Sequence, residues 1–178
     1  MAAICVFCAS SQTLDQRWLD LATEVGAALA RRGHVLVSGG GRAGMMGAVA
    51  TGARAQGGHT IGVIPQSLVD REIADTRSDE LVVTDGMASR KNLMIEKSDA
   101  FLTLPGGIGS LDELFEVWTT AYLHVHDKPV VLLDVDNFYG GLLGWLESLV
   151  PTGFVRRESL DRLIVVTSID DALAALPG

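Results

Sequence analysis

Short runs, most of them continuously apolar, recur along the chain at residues 4–9, 35–38, 60–64, 81–84, 100–104, 130–133 and 163–166. Continuous rather than alternating apolarity is the pattern of strands buried on both faces. Between these runs the apolar residues return at helical spacing. Leu14, Trp18, Leu21, Val25 and Leu29 fall on one face, behind a candidate capping box of Thr13 and Gln16. Further helices are expected over roughly 45–56, 87–97, 110–123, 139–150 and 169–176, the last with Ser168 as N-cap. Strand–helix alternation of this kind predicts an α/β fold: a Rossmann-like, doubly wound three-layer sandwich with a mostly parallel sheet and right-handed crossovers. Residues 66–80 break the pattern. The stretch is polar, carries five acidic residues, and is expected to be a loop with a short helix.

At 178 residues, the length suits one nucleotide-binding domain with one core. No apolar run approaches the roughly 20 residues needed to span a bilayer. Met1-Ala2-Ala3-Ile4-Cys5 lacks the basic segment of a secretory signal, so a cytoplasmic protein without a membrane partner is expected. A net charge of −8 argues against a nucleic-acid partner, which would need a basic face. It leaves room for a small anionic ligand held by a local site. Cys5 and Cys8 have C-x-x-C spacing but sit inside an apolar strand run without a second pair, so they read as buried, inert thiols.

Two glycine-rich turns change the picture. Residues 35–38 run into Gly39-Gly40-Gly41-Arg42-Ala43-Gly44, which matches G-x-G-x-x-G between a strand and a helix. Glycines there let backbone N–H groups approach an anion. A dinucleotide site would want an acidic residue at the end of the next strand, but that strand ends in Ile64-Pro65. A Walker A loop is excluded because no Gly-Lys-Ser/Thr follows. The second turn, Pro105-Gly106-Gly107-Ile108-Gly109-Ser110-Leu111-Asp112-Glu113, also joins a strand to a helix. Free amides and the positive end of the helix dipole favour a phosphate there, and Ser110 adds a hydroxyl. Glu113 has two readings that spacing leaves open: the closing residue of a capping box begun by Ser110, or a functional carboxylate. Glu116 lies one turn further along the same face.

Arg90 and Lys91 fall near the start of the helix after residues 81–84. A cation is unfavourable at the positive end of a helix dipole, so an anion is expected nearby. A nucleotide and a neighbouring carboxylate both qualify.

In order along the chain, these segments resemble the Lonely Guy (LOG) family of cytokinin-activating phosphoribohydrolases, often labelled lysine decarboxylases. The family signature Pro-Gly-Gly-x-Gly-Thr-x-x-Glu is met by Pro105 to Glu113, with Ser110 in place of threonine. The earlier turn is matched by Gly39 through Gly47, and the Met-x-x-Arg-Lys element by Met87, Arg90 and Lys91. The similarity continues through His126-Asp127-Lys128-Pro129 and Gly153-Phe154-Val155. Many members carry a histidine where this chain has Ala88.

The resemblance implies a homodimer with active sites near the subunit interface. It also implies hydrolysis of N6-modified adenosine monophosphates to free base and ribose 5-phosphate, with Arg90 and Glu113 as catalytic residues. Candidate substrate- and phosphate-binding positions are Ser10, Gly40, Gly41, Met87, Lys91, Gly106, Gly107, Gly109, Ser110 and Glu116. No cofactor and no metal are expected. The decarboxylase label fits poorly, because no lysine follows a histidine as in a Ser-x-His-Lys pyridoxal site. Two other functions stay open: a non-catalytic nucleotide-binding or sensor protein, and a broader 5′-nucleotide ribohydrolase.

Overall fold

Along the first strand, β1 (Ala3–Phe7), Ile4 and Val6 enter one apolar cluster while Cys5 and Phe7 enter another on the opposite face. Side chains alternate across a strand, so a run apolar at every position is buried on both sides. The computed structural model, which describes residues 1–71 and 73–178, places β1 at the centre of a seven-stranded sheet whose inner strands share this burial, while Val83 and Ile164 on the two edge strands are exposed. The other strands are β2 (Val35–Ser38), β3 (Thr60–Pro65), β4 (Glu80–Thr84), β5 (Ala100–Thr103), β6 (Val130–Leu133) and β7 (Leu163–Val166). Their order is β4-β3-β2-β1-β5-β6-β7, and every neighbouring pair is parallel.

The helices form the outer layers. On one face, α1 (Gln16–Arg31), α2 (Gly44–Ala55) and α8 (Ile169–Ala174) contribute to the cluster of Ile4 and Val6. On the other, α4 (Met87–Glu96), α5 (Ile108–Tyr122) and α6 (Gly140–Ser148) pack with Cys5 and Phe7. Two four-residue helices, α3 (Gln66–Val69) and α7 (Arg157–Leu160), complete the set among the described residues. None of the helices is long and apolar enough to cross a membrane. Strand order reverses between β1 and β5, and that reversal opens a crevice beyond their carboxyl ends, where ligands bind in sheets of this class.

The expected doubly wound sandwich is present, with local differences. β1 ends at Phe7, so Cys8 and Ala9 belong to the loop at the crevice. The capping box of Thr13 and Gln16 does not form. The Ser11 and Thr13 hydroxyls bond each other at 3.1 Å, and Asp15 caps α1 by accepting from the Arg17 amide at 3.0 Å. The helix expected from 139 starts at Gly140, after a 3₁₀ turn at Val135–Asn137 in which Asp136 and Asn137 hold left-handed φ of 56° and 58°. α7 has no counterpart among the expected helices, because four residues carry too little periodicity to register.

Candidate active site

The loops after β1, β2 and β5, with the first turns of α4 and α5, enclose a cleft of about 440 Å³. That size suits a small molecule. Ser10 and Ser11 come from the first loop, Gly39 and Gly41 from the second, and Gly107, Gly109 and Ser110 from the third. Met87, Arg90 and Glu113 line it as well.

The charged centre is a buried pair. Arg90 is 5% exposed and Glu113 7%, and Nη1 donates to Oε1 at 3.0 Å. The guanidinium is also fixed by the backbone: Nε donates to the Val63 carbonyl at 3.0 Å and Nη2 to the Gly39 carbonyl at 3.4 Å. A Cβ on Gly39 would collide with Nη2, so the close approach of Arg90 requires a glycine at that position. Burial raises the Glu113 carboxyl above its ordinary value; Arg90 opposes the shift and the nearby Asp112 adds to it. A carboxyl moved toward neutrality and held in a cleft is a candidate for proton and charge chemistry.

Helix α5 starts at Ile108, two residues earlier than expected, with Gly107 as N-cap and no side chain capping it. Glu113 therefore lies in the second turn and turns to Arg90 rather than to its own helix start, which excludes the capping box. The first amides of α5 have no acceptor within the helix. Gly107, Gly109 and Ser110 line the cleft there, so an anion in the cleft meets unshared N–H groups and the positive end of the dipole.

Other expected residues stand nearby without facing the cleft. Lys91 pairs with Glu116 at 2.7 Å and with Asp112 at 3.1 Å, tying α4 to α5. Its contact with Glu116 is the main cause of its raised pKa. Gly40, at φ +71°, turns its carbonyl to the Asp75 amide. Gly106 lies below the cleft, where a Cβ would strike the Ser110 hydroxyl. Cys8 lines the cleft, and burial, reinforced by Glu113, keeps it a thiol. Met46, Ile64, Leu68 and Ile73 form an apolar wall that sequence reasoning missed. These residues carry no reactive group, and only Met46 stands within a glycine-rich turn in the sequence.

Residues 46–176 match the family model described as "Possible lysine decarboxylase". The cytokinin riboside 5′-monophosphate phosphoribohydrolase of Mycobacterium tuberculosis is 54% identical, over 97% of this chain and 91% of its own. Its Mycobacterium marinum namesake is 53% identical, over 98% and 94%. The Arabidopsis thaliana enzyme of that name, LOG4, is 43% identical, over 93% and 76%. Among solved structures, the molybdenum cofactor binding protein of Rippkaea orientalis superposes with a TM-score of 0.74 at 23% identity, covering 97% of this chain and 93% of that one. The Moco carrier protein of Chlamydomonas reinhardtii gives 0.72 at 24%, covering 97% and 93%. At those identities the likeness concerns the fold. With its family model matched over most of its length and relatives more than half identical along nearly all of it, the chain belongs to the LOG family.

Proposed function

We propose that this protein hydrolyses the base–ribose bond of N6-modified adenosine 5′-monophosphates, releasing the free base and ribose 5-phosphate. The observation that carries the reading is the buried Arg90–Glu113 pair, 3.0 Å apart, beside the uncapped start of α5. The names of the M. tuberculosis and M. marinum relatives support it.

In this mechanism the amides of α5, with Ser110 and Ser10, hold the 5′-phosphate. Fixing that end of the substrate positions the ribose over Glu113, so remote binding energy becomes orientation at the reacting carbon. As the base departs, positive charge develops at C1′. The Glu113 carboxylate stabilises that cation and orients water against it. The water oxygen bonds to C1′ while the glycosidic C–N bond breaks; the water gives up one proton, and the departing nitrogen takes up one, so that OH ends on the sugar and H on the base. Arg90 holds Glu113 in place and supports charge on the base.

A decarboxylase reading would need pyridoxal phosphate on a lysine. The residues do not fit that group. Lys91 is engaged by Asp112 and Glu116, Lys97 by Glu80, and Lys128 by the Ile95 carbonyl, and none of the three lines the cleft. A homodimer and a cytoplasmic location belong to the same proposal. A hollow lined by Phe115, Trp118, Tyr122 and the 85%-exposed Phe154 supports the former.

The test incubates the protein with AMP and with N6-isopentenyl-AMP and identifies products by chromatography and mass spectrometry. Stoichiometric free base and ribose 5-phosphate are expected. Tight nucleotide binding with neither product formed would overturn the hydrolase in favour of a sensor.

A further inference from the structure

The segment between α3 and β4 grips the first glycine turn. The Arg42 amide donates to the Ile73 carbonyl at 2.9 Å, and the Asp75 amide to the Gly40 carbonyl at 2.8 Å. Between them Gly41 and Ala74 face each other in an antiparallel bridge. Residues 73–75 are thus strapped to the turn that borders the cleft.

Asp75 holds the strap at its other side. Its carboxylate is 2% exposed. Oδ2 accepts from Arg54 Nη2 at 2.9 Å, and Oδ1 accepts from Arg77 Nε at 3.0 Å and from the Arg77 amide at 3.2 Å. Arg54 sits in the last turn of α2, the helix that the glycine turn opens. One buried carboxylate therefore joins the glycine turn, the end of the helix behind it and the strap. Burial works against its charge, yet the bonds from Arg77 and Arg54 outweigh that penalty and keep its pKa low. Asp75 does not itself line the cleft, whereas Ile73, the first residue of the strap, and Leu68 of α3 do. They line it together with Met46 and Ile64, and Met46 and Ile73 both stand beside Gly41, where an added Cβ would meet them at 3.0 and 3.8 Å.

We propose that Asp75 is a positioning residue. By pinning the strap through Arg54 and Arg77, it sets the fit of Ile73 and Leu68 against the base of the substrate, and so the selectivity among base substituents. The proposal rests on the nucleotide reading above. A wall that contacts ground state and transition state alike changes KM and leaves kcat in place. That separates it from the Arg90–Glu113 pair.

The test is steady-state kinetics of Asp75→Asn with AMP and N6-isopentenyl-AMP, alongside calorimetric affinities for both nucleotides. Asparagine keeps the shape but loses the charge and places an amide against an arginine. KM for the isopentenyl nucleotide is expected to rise about tenfold and that for AMP about twofold, with kcat within about twofold of wild type. Arg77→Ala removes one exposed arm and leaves Arg54 paired, so a smaller shift in the same direction is expected from a folded protein. Ile73→Ala removes the wall itself and is expected to reproduce the loss of selectivity. Unchanged selectivity in Arg77→Ala and in a folded Asp75→Asn would overturn the proposal, as would an equal fall in kcat for both nucleotides. The affinities keep this result apart from the hydrolase reading. If wild type binds both nucleotides and releases no base, the hydrolase fails, while the affinity ratio in the variants still decides the role of Asp75.

Discussion

Glu113 on α5 and Arg90 on α4 meet at 3.0 Å with both side chains almost wholly withdrawn from solvent. Water contributes little to holding either charge, so Glu113 depends on Arg90, and Arg90 on Glu113 and on the carbonyls of Val63 and Gly39. Removing one partner leaves the other buried and uncompensated, the costly way to break such a pair.

Glu113→Gln keeps an oxygen to accept from Arg90 but removes the negative charge. Turnover is expected to fall by about 10²–10⁴-fold, the range for a positioned acid–base group. The circular dichroism spectrum should stay native. Turnover within a few-fold of wild type, measured as released base, would remove Glu113 from the chemistry.

The pH dependence follows from the raised Glu113 pKa. The ordinary value is 4.5, and burial moves the folded value upward. Between the two, the folded protein binds more protons than the unfolded chain. The contribution of Glu113 to stability therefore declines as pH rises through that window. Activity should run the other way, because the working form in the proposed mechanism is the carboxylate. kcat/KM is expected to climb along an acidic limb whose midpoint lies above 4.5. Both trends should vanish in Glu113→Gln, as read by pH–rate profiles and urea unfolding at each pH.

Arg90→Ala is expected to cost about 3–5 kcal/mol in urea unfolding, the scale for a buried charge stripped of its partner. Combining it with Glu113→Gln should cost less than the sum of the single changes, because the two share one interaction. Strict additivity would mean that the pair is not coupled.

Gly39→Ala tests geometry without touching a charged group. The added methyl occupies the place of the Arg90 guanidinium and crowds the Met46 methyl at 3.0 Å. Arg90 must swing from the Gly39 carbonyl, and turnover is expected to drop at least about tenfold, as small misplacements at a reacting centre do. A crystal structure of this variant with Arg90 still on Glu113 and full activity would count against the pair as the working centre.

Much of this architecture is legible in the amino-acid sequence. Continuous apolarity at β1 and β6 announces buried parallel strands, and glycines after β2 and β5 mark the turns that border the cleft. The partnership of residues 90 and 113 is not, because nothing local to either says that α4 and α5 lie side by side. The dipole argument asks for an anion near Arg90 and does not choose between a ligand and a carboxylate. The start of α5 is misplaced by the sequence pattern because Ser110 looks like a cap, whereas Gly107, with nothing to offer as one, occupies that place. The strap at residues 73–75 lies in a polar stretch whose pairing with the Gly40 turn depends on backbone bonds, which residue types do not reveal.

Relative to glycine, an N-cap side chain contributes about a few tenths of a kcal/mol to its helix. By placing glycine there, α5 forgoes that contribution and leaves its opening turn unfinished from within. The acceptor must come from outside the chain, so the protein alone is less stable at this corner than a capped helix would make it. Docking of an anion and consolidation of the helix that carries Glu113 thus become a single event.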